Sequence, residues 1–356
     1  MRFAKLRIAQ LVVAALILGA ARLVGAQGTA PRLIGDVVNS EGGIPLAHSM
    51  VTVVGFDRQT FTSESGIFVF AGLEPGKYHI RAAHIGYTPT DALVEIVAGT
   101  EPPRMKIALK KISVQLATVK IVATSVCRTP GRPNPDVEPD FAAIVGQLRM
   151  NAEQFQLLSD SFPYKYKVDQ QFYDMKGDSS RTHETNESEE YRSDSRGWEY
   201  KMGQVVEQAR DGHTIMHLPT LRDFASYEFL NNHCFSFGGV ETTRDGSFIR
   251  IGFQADVQIR TPDVSGTVYL DAKTYQIRRA DLELTKMPRE LPEATAIHVT
   301  TIFGEVAPSI DIIQQVRGIT SLRHHGWGAM IARGEDQRMF SLEWLGTDPS
   351  HPRTQP

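Results

Sequence analysis

Two histidines four residues apart, His213 and His217, are the first residues of this chain that could hold a metal ion. On a helix, side chains at this spacing share one face, as in the paired histidines of zinc proteases. The three residues between them, Thr-Ile-Met, favour a strand instead. On a strand the two histidines would lie about 13 Å apart. We therefore predict no metal site here.

Two other histidine sites could contribute to catalysis. His233 precedes Cys234, and a thiol nucleophile would need such a base and a lowered pKa. His324 and His325 lie beside Trp327. No supporting motif accompanies the first pair, and the second pair is typical of a loop. We predict no catalytic role for either.

The most polar stretch of the chain contains Glu187, Glu189 and Glu190, which could act as paired carboxylates. Their setting favours a solvated face instead. The sequence has no Gly-x-Ser-x-Gly elbow, phosphate loop or dinucleotide-binding glycine pattern, and none of its eleven histidines is followed three residues later by glutamate. We therefore predict a protein that is not an enzyme, with no cofactor, no cofactor-binding residue and no metal.

The first 26 residues have the pattern of a secretory signal peptide. Three basic residues precede a mostly apolar run over 8–21, and Val24-Gly25-Ala26 supplies small residues for cleavage after Ala26. The run is short for a spanning helix, which needs about 20 apolar residues. An N-terminal membrane anchor is the alternative. We expect an exported protein of the periplasm or one associated with the outer membrane.

Cleavage would leave an acidic chain. It removes four of the 38 basic residues and none of the 41 acidic ones, so the formal net charge changes from −3 to −7. Such a chain has little attraction for nucleic acid, so we predict no nucleic-acid partner. No second apolar run approaches spanning length. Membrane association stays open, without a transmembrane segment in the mature chain.

The composition is that of a folded protein of up to two domains: 356 residues, 41% hydrophobic and 22% charged. It contains only two cysteines, Cys127 and Cys234, too few for a disulfide-rich scaffold. Because exported proteins meet an oxidising compartment, we predict that these two form a disulfide. The alternative is one buried free cysteine and one exposed in a linker.

The pattern of residues 31–124 predicts a β-sandwich of about seven short strands, because short runs of alternating apolar and polar residues recur there between turn signals. Ser63-Glu64-Ser65-Gly66 and Glu74-Pro75-Gly76 are two of the turns. Large side chains for a small core recur between and after them, at Phe68, Phe70, Tyr78 and Tyr87.

Several motifs in this region resemble the carboxypeptidase regulatory-like domain, a transthyretin-like (prealbumin-like) Greek-key sandwich. They are Gly66-x-Phe68-x-Phe70, Leu73-x-Pro75-Gly76-x-Tyr78-x-Ile80 and Gly86-Tyr87. His48 departs from the family, which often has glycine there, and this puts the local turn in doubt. The resemblance implies an accessory domain, since the peptidase of such proteins is a separate zinc domain.

The segment Leu116–Thr124 resembles the piece that follows such domains in TonB-dependent outer-membrane receptors. The 232 residues after Thr124 cannot hold the plug and barrel of a receptor, since each spanning strand takes about 9–11 residues before loops. A last sandwich strand is the alternative interpretation of this segment.

Residues 125–139 contain four prolines and predict a stiff linker to a second domain over 140–346. Asp140 is the expected N-cap of a helix whose apolar stripe runs from Phe141 to Leu158. After it, strand signals predict one curved antiparallel sheet with the helix packed on it, including a strand over 198–207 and either a hairpin or a mobile loop over 176–196. We expect a disordered tail at 347–356.

The run Gly266–Ile277 resembles hairpins of bacterial envelope proteins, among them half-barrel periplasmic lipoprotein carriers. This resemblance implies a concave, apolar face. Two functions remain open. The chain is a non-catalytic module that binds a glycan, peptide or membrane protein through its sandwich, or a carrier of an apolar ligand such as a lipid or lipoprotein. An exposed aromatic platform on the sandwich would favour the first, and an apolar cavity in the second domain would favour the second.

Overall fold

The computed structural model describes residues 32–114, 126–176, 180–195, 197–210, 214–323, 330–346 and 348–349. The predicted signal peptide, the segment Leu116–Thr124 and most of the expected tail lie outside these residues. Within them the fold is mainly β, as predicted, with a sandwich followed by a large antiparallel sheet that carries one long helix.

The sandwich consists of two four-stranded sheets, ordered β4-β1-β8-β6 and β3-β2-β5-β7. Its eight described strands exceed the expected seven because β6 has only two residues, too few for an alternating pattern. The strands are β1 (Arg32–Asn39), β2 (Met50–Val53), β3 (Gln59–Phe61), β4 (Ile67–Ala71), β5 (Gly76–Ala83), β6 (Tyr87–Thr88), β7 (Thr90–Ile96) and β8 (Met105–Lys111).

Alternation along β5 shows how the sandwich core forms. Tyr78, Ile80 and Ala82 are buried, while the residues between them are exposed. Phe68 and Phe70 of β4 join the same apolar cluster. These large side chains fill the space between the sheets, as the sequence predicted.

The second sheet has nine antiparallel strands in the order β10-β9-β19-β18-β17-β16-β15-β14-β13. From β13 to β19 it is a meander, and β19 then pairs with β9, so residues 164–176 lie beside residues 330–344. The strands are β9 (Tyr164–Lys176), β10 (Arg181–Arg192), β13 (His233–Thr243), β14 (Gly246–Ala255), β15 (Val264–Asp271), β16 (Ile277–Leu284), β17 (Ala294–Ala307), β18 (Ile310–Leu322) and β19 (Met330–Trp344).

Smaller elements lie between β10 and β13. A two-stranded ribbon joins β11 (Val206–Gln208) to β12 (Thr214–Met216), and a 3-10 helix (Leu221–Ala225) precedes the short helix α2 (Tyr227–Asn232). The expected strand over 198–207 is therefore wrong for most of its length. The reason is that side-chain carboxylates take the backbone donors of this segment: Asp223 accepts from the Tyr200 amide at 2.8 Å and Asp263 from the Gly203 amide at 2.7 Å. For residues 176–196 the sequence left two alternatives, a hairpin or a mobile loop. The structure has a hairpin, formed by β9 and β10.

The long helix α1 (Pro139–Ser161) begins after Glu138, with proline in its first turn, so Asp140 is inside the helix rather than its N-cap. The predicted apolar stripe is confirmed for Phe141, Ile144 and Leu148, which pack into the core of the sheet. The helix also buries polar side chains that the apolar stripe did not predict. It therefore has a second buried face.

That second face joins the helix to the sandwich and to a turn of the sheet. Gln147 accepts a hydrogen bond from the Gly86 amide at 2.6 Å, and Gln154 donates to the His48 carbonyl at 3.3 Å. Asn151 donates to the Tyr275 carbonyl and accepts from the Ile277 amide, both at 2.9 Å. Helix α1 thus lies between the sandwich and the nine-stranded sheet and bonds to backbone groups on both sides.

Apolar contacts extend this interface. Met50 and Phe61 of the sandwich share one cluster with Leu157 and Leu158 of α1 and with Ile310 and other residues of the sheet. Phe61 also lies 5.8 Å, ring to ring, from Phe162 at the end of the helix. The sandwich consequently shares an apolar cluster with α1 and the nine-stranded sheet.

His48 lies in this interface with φ +52°, a left-handed conformation that suits glycine better than a branched chain. Its Nε2 lies 2.7 Å from the Pro349 carbonyl oxygen, so the imidazole holds the end of the described chain. His84 lies nearby with its Nδ1 3.1 Å from the Ser49 hydroxyl. Burial, and then the neighbouring His48, lower the pKa of His84 to about 4, so it is neutral at physiological pH.

None of the described helices is both long enough and apolar enough to cross a membrane.

We expect Asn151→Ala to lower the free energy of unfolding by about 2–4 kcal/mol, because it leaves a buried amide and a buried carbonyl without partners. The measurement is urea unfolding followed by circular dichroism. Gln156→Ala is the matched control, since Gln156 is exposed on the same helix, and it should change stability by less than about 0.5 kcal/mol. Equal stability of the two variants would contradict this role of Asn151.

Candidate functional site

A cavity of about 280 Å³ opens between α1 and the strands β9, β10, β18 and β19. Its lining is aromatic or aliphatic, with three glutamines and no charged residue. The lining residues are Phe155, Tyr164, Tyr166, Val168, Tyr191, Ile312, Ile313, Gln314, Gln315, Val316, Gln337 and Met339.

Strand register brings much of this lining together on neighbouring strands. Tyr166 is opposite Tyr191 of β10, and Val168 is opposite Met339 of β19. On the far side of β19, Gln337 is opposite Val316 of β18. Since alternate residues of a strand share a face, four neighbouring strands contribute side chains to the same cavity.

The tyrosines form the aromatic side of the cavity. The rings of Tyr166 and Tyr191 stack at 5.6 Å, and Tyr164 packs against Trp344 at 5.3 Å. Burial raises the pKa of Tyr166, and burial together with the hydrogen bond to Glu189 raises the pKa of Tyr191 to about 12. These hydroxyls therefore stay protonated and uncharged at any physiological pH.

Two carboxylates lie behind the polar groups of this face. Gln170 donates to the Tyr191 hydroxyl at 2.9 Å, and that hydroxyl donates to Glu189. Gln337 donates to Glu335. The polar side chains are thus already ordered by hydrogen bonds along the sheet.

A second polar cluster is buried away from the cavity, around Asp263. Its carboxylate accepts from the Tyr200 hydroxyl at 2.9 Å and from the amides of Gly203 and Val264, each at 2.7 Å. His233 lies 3.8 Å from it and is fully buried. These contacts fix the irregular segment 197–205 to the sheet, and the cluster has a structural role.

His233 was one of the catalytic candidates that the sequence offered. Its ring nitrogens lie 2.8 Å from the Phe229 carbonyl oxygen and 3.0 Å from that of Val264, and its ring stacks on Phe229 at 4.0 Å. Burial lowers the pKa of His233. Both ring nitrogens face backbone carbonyl oxygens, of which a neutral imidazole can donate to one, so this histidine does not face a reactive thiol.

The two cysteines lie together in the structure. Cys127 and Cys234 are joined as a disulfide with their Cα atoms 5.5 Å apart. The Gly131 amide bonds the His233 carbonyl at 2.9 Å, and the Val257 amide bonds the Cys127 carbonyl at 2.9 Å. The start of the predicted linker is therefore attached to strand β13 and to the turn after β14.

The remaining candidates do not come together. His213, His324, His325 and Trp327 lie outside the described residues. His217 follows β12, where its Nε2 lies 3.1 Å from Glu207 and its ring stacks on Trp198 at 5.0 Å. The predicted strand between the first two histidines is confirmed at 214–216. The three glutamates at 187, 189 and 190 are exposed on β10.

Sequence analysis predicted a curved antiparallel sheet over this region but did not identify the cavity that Tyr166 and Val168 line. The missing information was the pairing of β9 with β19, which joins residues about 170 positions apart in the chain. No local pattern encodes that partnership.

A family model described as the carboxypeptidase regulatory-like domain matches residues 32–110. These residues are a carboxypeptidase regulatory-like domain. The match confirms the resemblance seen in the motifs and spans less than a quarter of the chain. No curated protein matches the sequence.

Solved structures that resemble more than half of the chain include the following three. A DUF1329 family protein from Desulfovibrio piger has 9% identity and a TM-score of 0.33, over 57% of this chain and 95% of its own. A putative outer membrane lipoprotein-sorting protein domain from Vibrio parahaemolyticus has 7% identity and a TM-score of 0.31, over 56% and 93%. A LolA superfamily protein from Nitrosomonas europaea has 6% identity and a TM-score of 0.30, over 57% of this chain and 94% of its own. At these scores the likeness carries no inference about what the chain binds.

We expect the protein purified from the periplasm to begin at Gln27 and to carry the Cys127–Cys234 bridge. Intact-mass spectrometry should show the loss of residues 1–26, and alkylation of denatured protein should label no cysteine before reduction. Closing a loop of 107 residues should stabilise the fold by up to about 4.7 kcal/mol in the chain-entropy model.

The matched control is Cys127→Ser, which should leave one cysteine open to alkylation. Two labelled cysteines in the unreduced wild type would refute the bridge, and a retained N-terminus would refute cleavage.

Proposed function

We propose that this chain is an exported, non-catalytic envelope protein that binds an apolar ligand in the cavity of its second domain. The observation that carries the proposal is the cavity itself, bounded by aromatic and aliphatic side chains without a charge. An exposed aromatic platform on the sandwich would favour a glycan-, peptide- or protein-binding module, whereas an apolar cavity favours a carrier of an apolar ligand.

The size and lining of the cavity limit the ligand. Small-molecule pockets span about 300–1,000 Å³, so this cavity of about 280 Å³ is near the lower end. It suits one acyl chain or one fused ring system rather than a whole bilayer lipid. Each buried methylene contributes about 0.8 kcal/mol, so a single chain gives useful affinity.

The regulatory-like domain supports the cavity indirectly in this proposal. It packs on α1 through Met50 and Phe61, and Phe155 of α1 lines the cavity. We accordingly divide the chain into a signal peptide (1–26), the sandwich (31–124), the linker (125–139), the binding domain (140–346) and a tail (347–356). The sandwich holds the helix, and the helix forms a wall of the cavity.

Val316→Trp should abolish binding of an apolar dye such as N-phenyl-1-naphthylamine, because the indole would fill much of the cavity. The measurement is dye fluorescence as protein is added, with circular dichroism to confirm folding. Gln171→Trp is the matched control, since Gln171 belongs to the opposite face of β9 by strand alternation.

Wild-type protein that leaves the dye unchanged would refute the carrier proposal. Equal binding by wild type and Val316→Trp would place the dye elsewhere and refute this cavity as its site.

A second candidate function is partner binding through the sandwich, and one surface observation favours it. Val54, Phe56 and Leu93 are 45%, 55% and 70% exposed. His79 lies between Val54 and Leu93. Its carbonyl accepts a hydrogen bond from the Val54 amide, and it is opposite Leu93 in the register of β5 and β7. Phe56 is the one strongly exposed aromatic among the described residues of the sandwich. The patch fits an apolar protein surface better than a glycan, which needs a broader aromatic platform.

The double substitution Val54→Ser and Leu93→Ser should release the protein from envelope membranes if this patch binds a membrane protein. Cosedimentation with washed envelopes measures this, and Lys77→Ser with Glu95→Ser, two exposed residues of the same sheet, is the control. Unchanged sedimentation of the first variant would refute the patch as a binding surface.

A further inference from the structure

We infer that the cavity selects ligands whose polar end is uncharged and rejects anionic amphiphiles such as fatty acids. This inference rests on the proposed binding of an apolar ligand. It names the chemical class of that ligand as a neutral amphiphile with a hydroxyl, ester or amide head.

The first observation is the chemistry of the polar groups at the cavity. Gln314 and Gln337 line it, and Gln170 lies on the same face of β9 as Tyr166 and Val168. An amide side chain offers both donors and an acceptor. Such groups can hydrogen-bond the hydroxyls and carbonyl oxygens of an uncharged head.

The second observation is the position of the nearest carboxylates. Glu189 accepts from Tyr191, and Glu335 accepts from Gln337, so each is one hydrogen bond from the lining. The hydroxyl proton of Tyr191 points to Glu189 and is not free for an anion. Both carboxylates therefore bring negative charge close to the cavity wall.

The third observation is where the cations of these strands lie. Arg317 and Arg338 follow the lining residues Val316 and Gln337 along their strands, and neither arginine is among the residues that line the cavity. Arg317 pairs with Asp336 at 2.7 Å. Arg222 is within electrostatic reach of Tyr164 but pairs with Asp160 at 3.2 Å. The lining contains no cation that could pair with an anion.

A carboxylate placed in this site would lose its hydration without gaining a cation, and an unpaired buried charge is strongly disfavoured. A fatty acid would then bind mainly in its protonated form. Its apparent affinity should rise as the pH falls toward the pKa of the acid. An uncharged head of the same chain length carries no such penalty.

The test is displacement of the bound dye by glycerol monodecanoate and by sodium decanoate, which carry the same acyl chain, well above the pKa of the acid. We expect the neutral compound to bind at least about tenfold more tightly. Gln337→Lys adds a cation to the lining and should reverse the preference. Gln171→Lys adds the same charge to the opposite face and should leave the preference unchanged.

The outcomes separate the two claims. Displacement by both compounds with equal affinity, or tighter binding of decanoate, would overturn the neutral-head inference and leave the apolar cavity standing. If neither compound nor the dye binds wild-type protein, the proposed function itself fails. A preference that Gln337→Lys and Gln171→Lys change equally would also overturn the inference, because it would show a general charge effect.

Discussion

The structure depends on one helix that is buried on two sides. An amphipathic helix on a sheet normally presents its polar side to water. On α1 the second side carries Gln147, Asn151 and Gln154, and each bonds a backbone group of the sandwich or of the β15–β16 turn. A buried amide without a partner would cost about 1–3 kcal/mol, so these contacts favour the arrangement of the sandwich, helix and sheet in which all three amides are paired.

The sequence predicts the elements that local chemistry encodes. Turn residues and alternation located the sandwich, and the apolar stripe located α1 correctly at Phe141, Ile144 and Leu148. The sequence did not predict the polar face of the helix, because a glutamine or asparagine on a helix is ordinarily solvated. Its burial follows from a partner such as Gly86, 61 residues away in the chain, which no local pattern reveals.

The segment 198–207 is a second case in which the local sequence pattern did not predict the structure. Its composition suits a strand, and the structure instead satisfies its amides with Asp223 and Asp263. A carboxylate with several donors replaces the neighbouring strand as acceptor. The cavity was missed for a related reason: its lining comes from β9, β10, β18 and β19, and only tertiary pairing places them side by side.

Helix α1 forms one wall of the cavity and is hydrogen-bonded to the sandwich, and these contacts determine how the cavity can bind a ligand. Phe155 belongs to the cavity wall, one residue after Gln154, which bonds the His48 carbonyl of the sandwich. His48 in turn lies 2.7 Å from the Pro349 carbonyl oxygen near the end of the chain. These buried hydrogen bonds hold α1 in place at the side of the open cavity. The wall is therefore ordered before a ligand binds, and an ordered wall with an ordered amide network selects a ligand by shape and by head-group chemistry together.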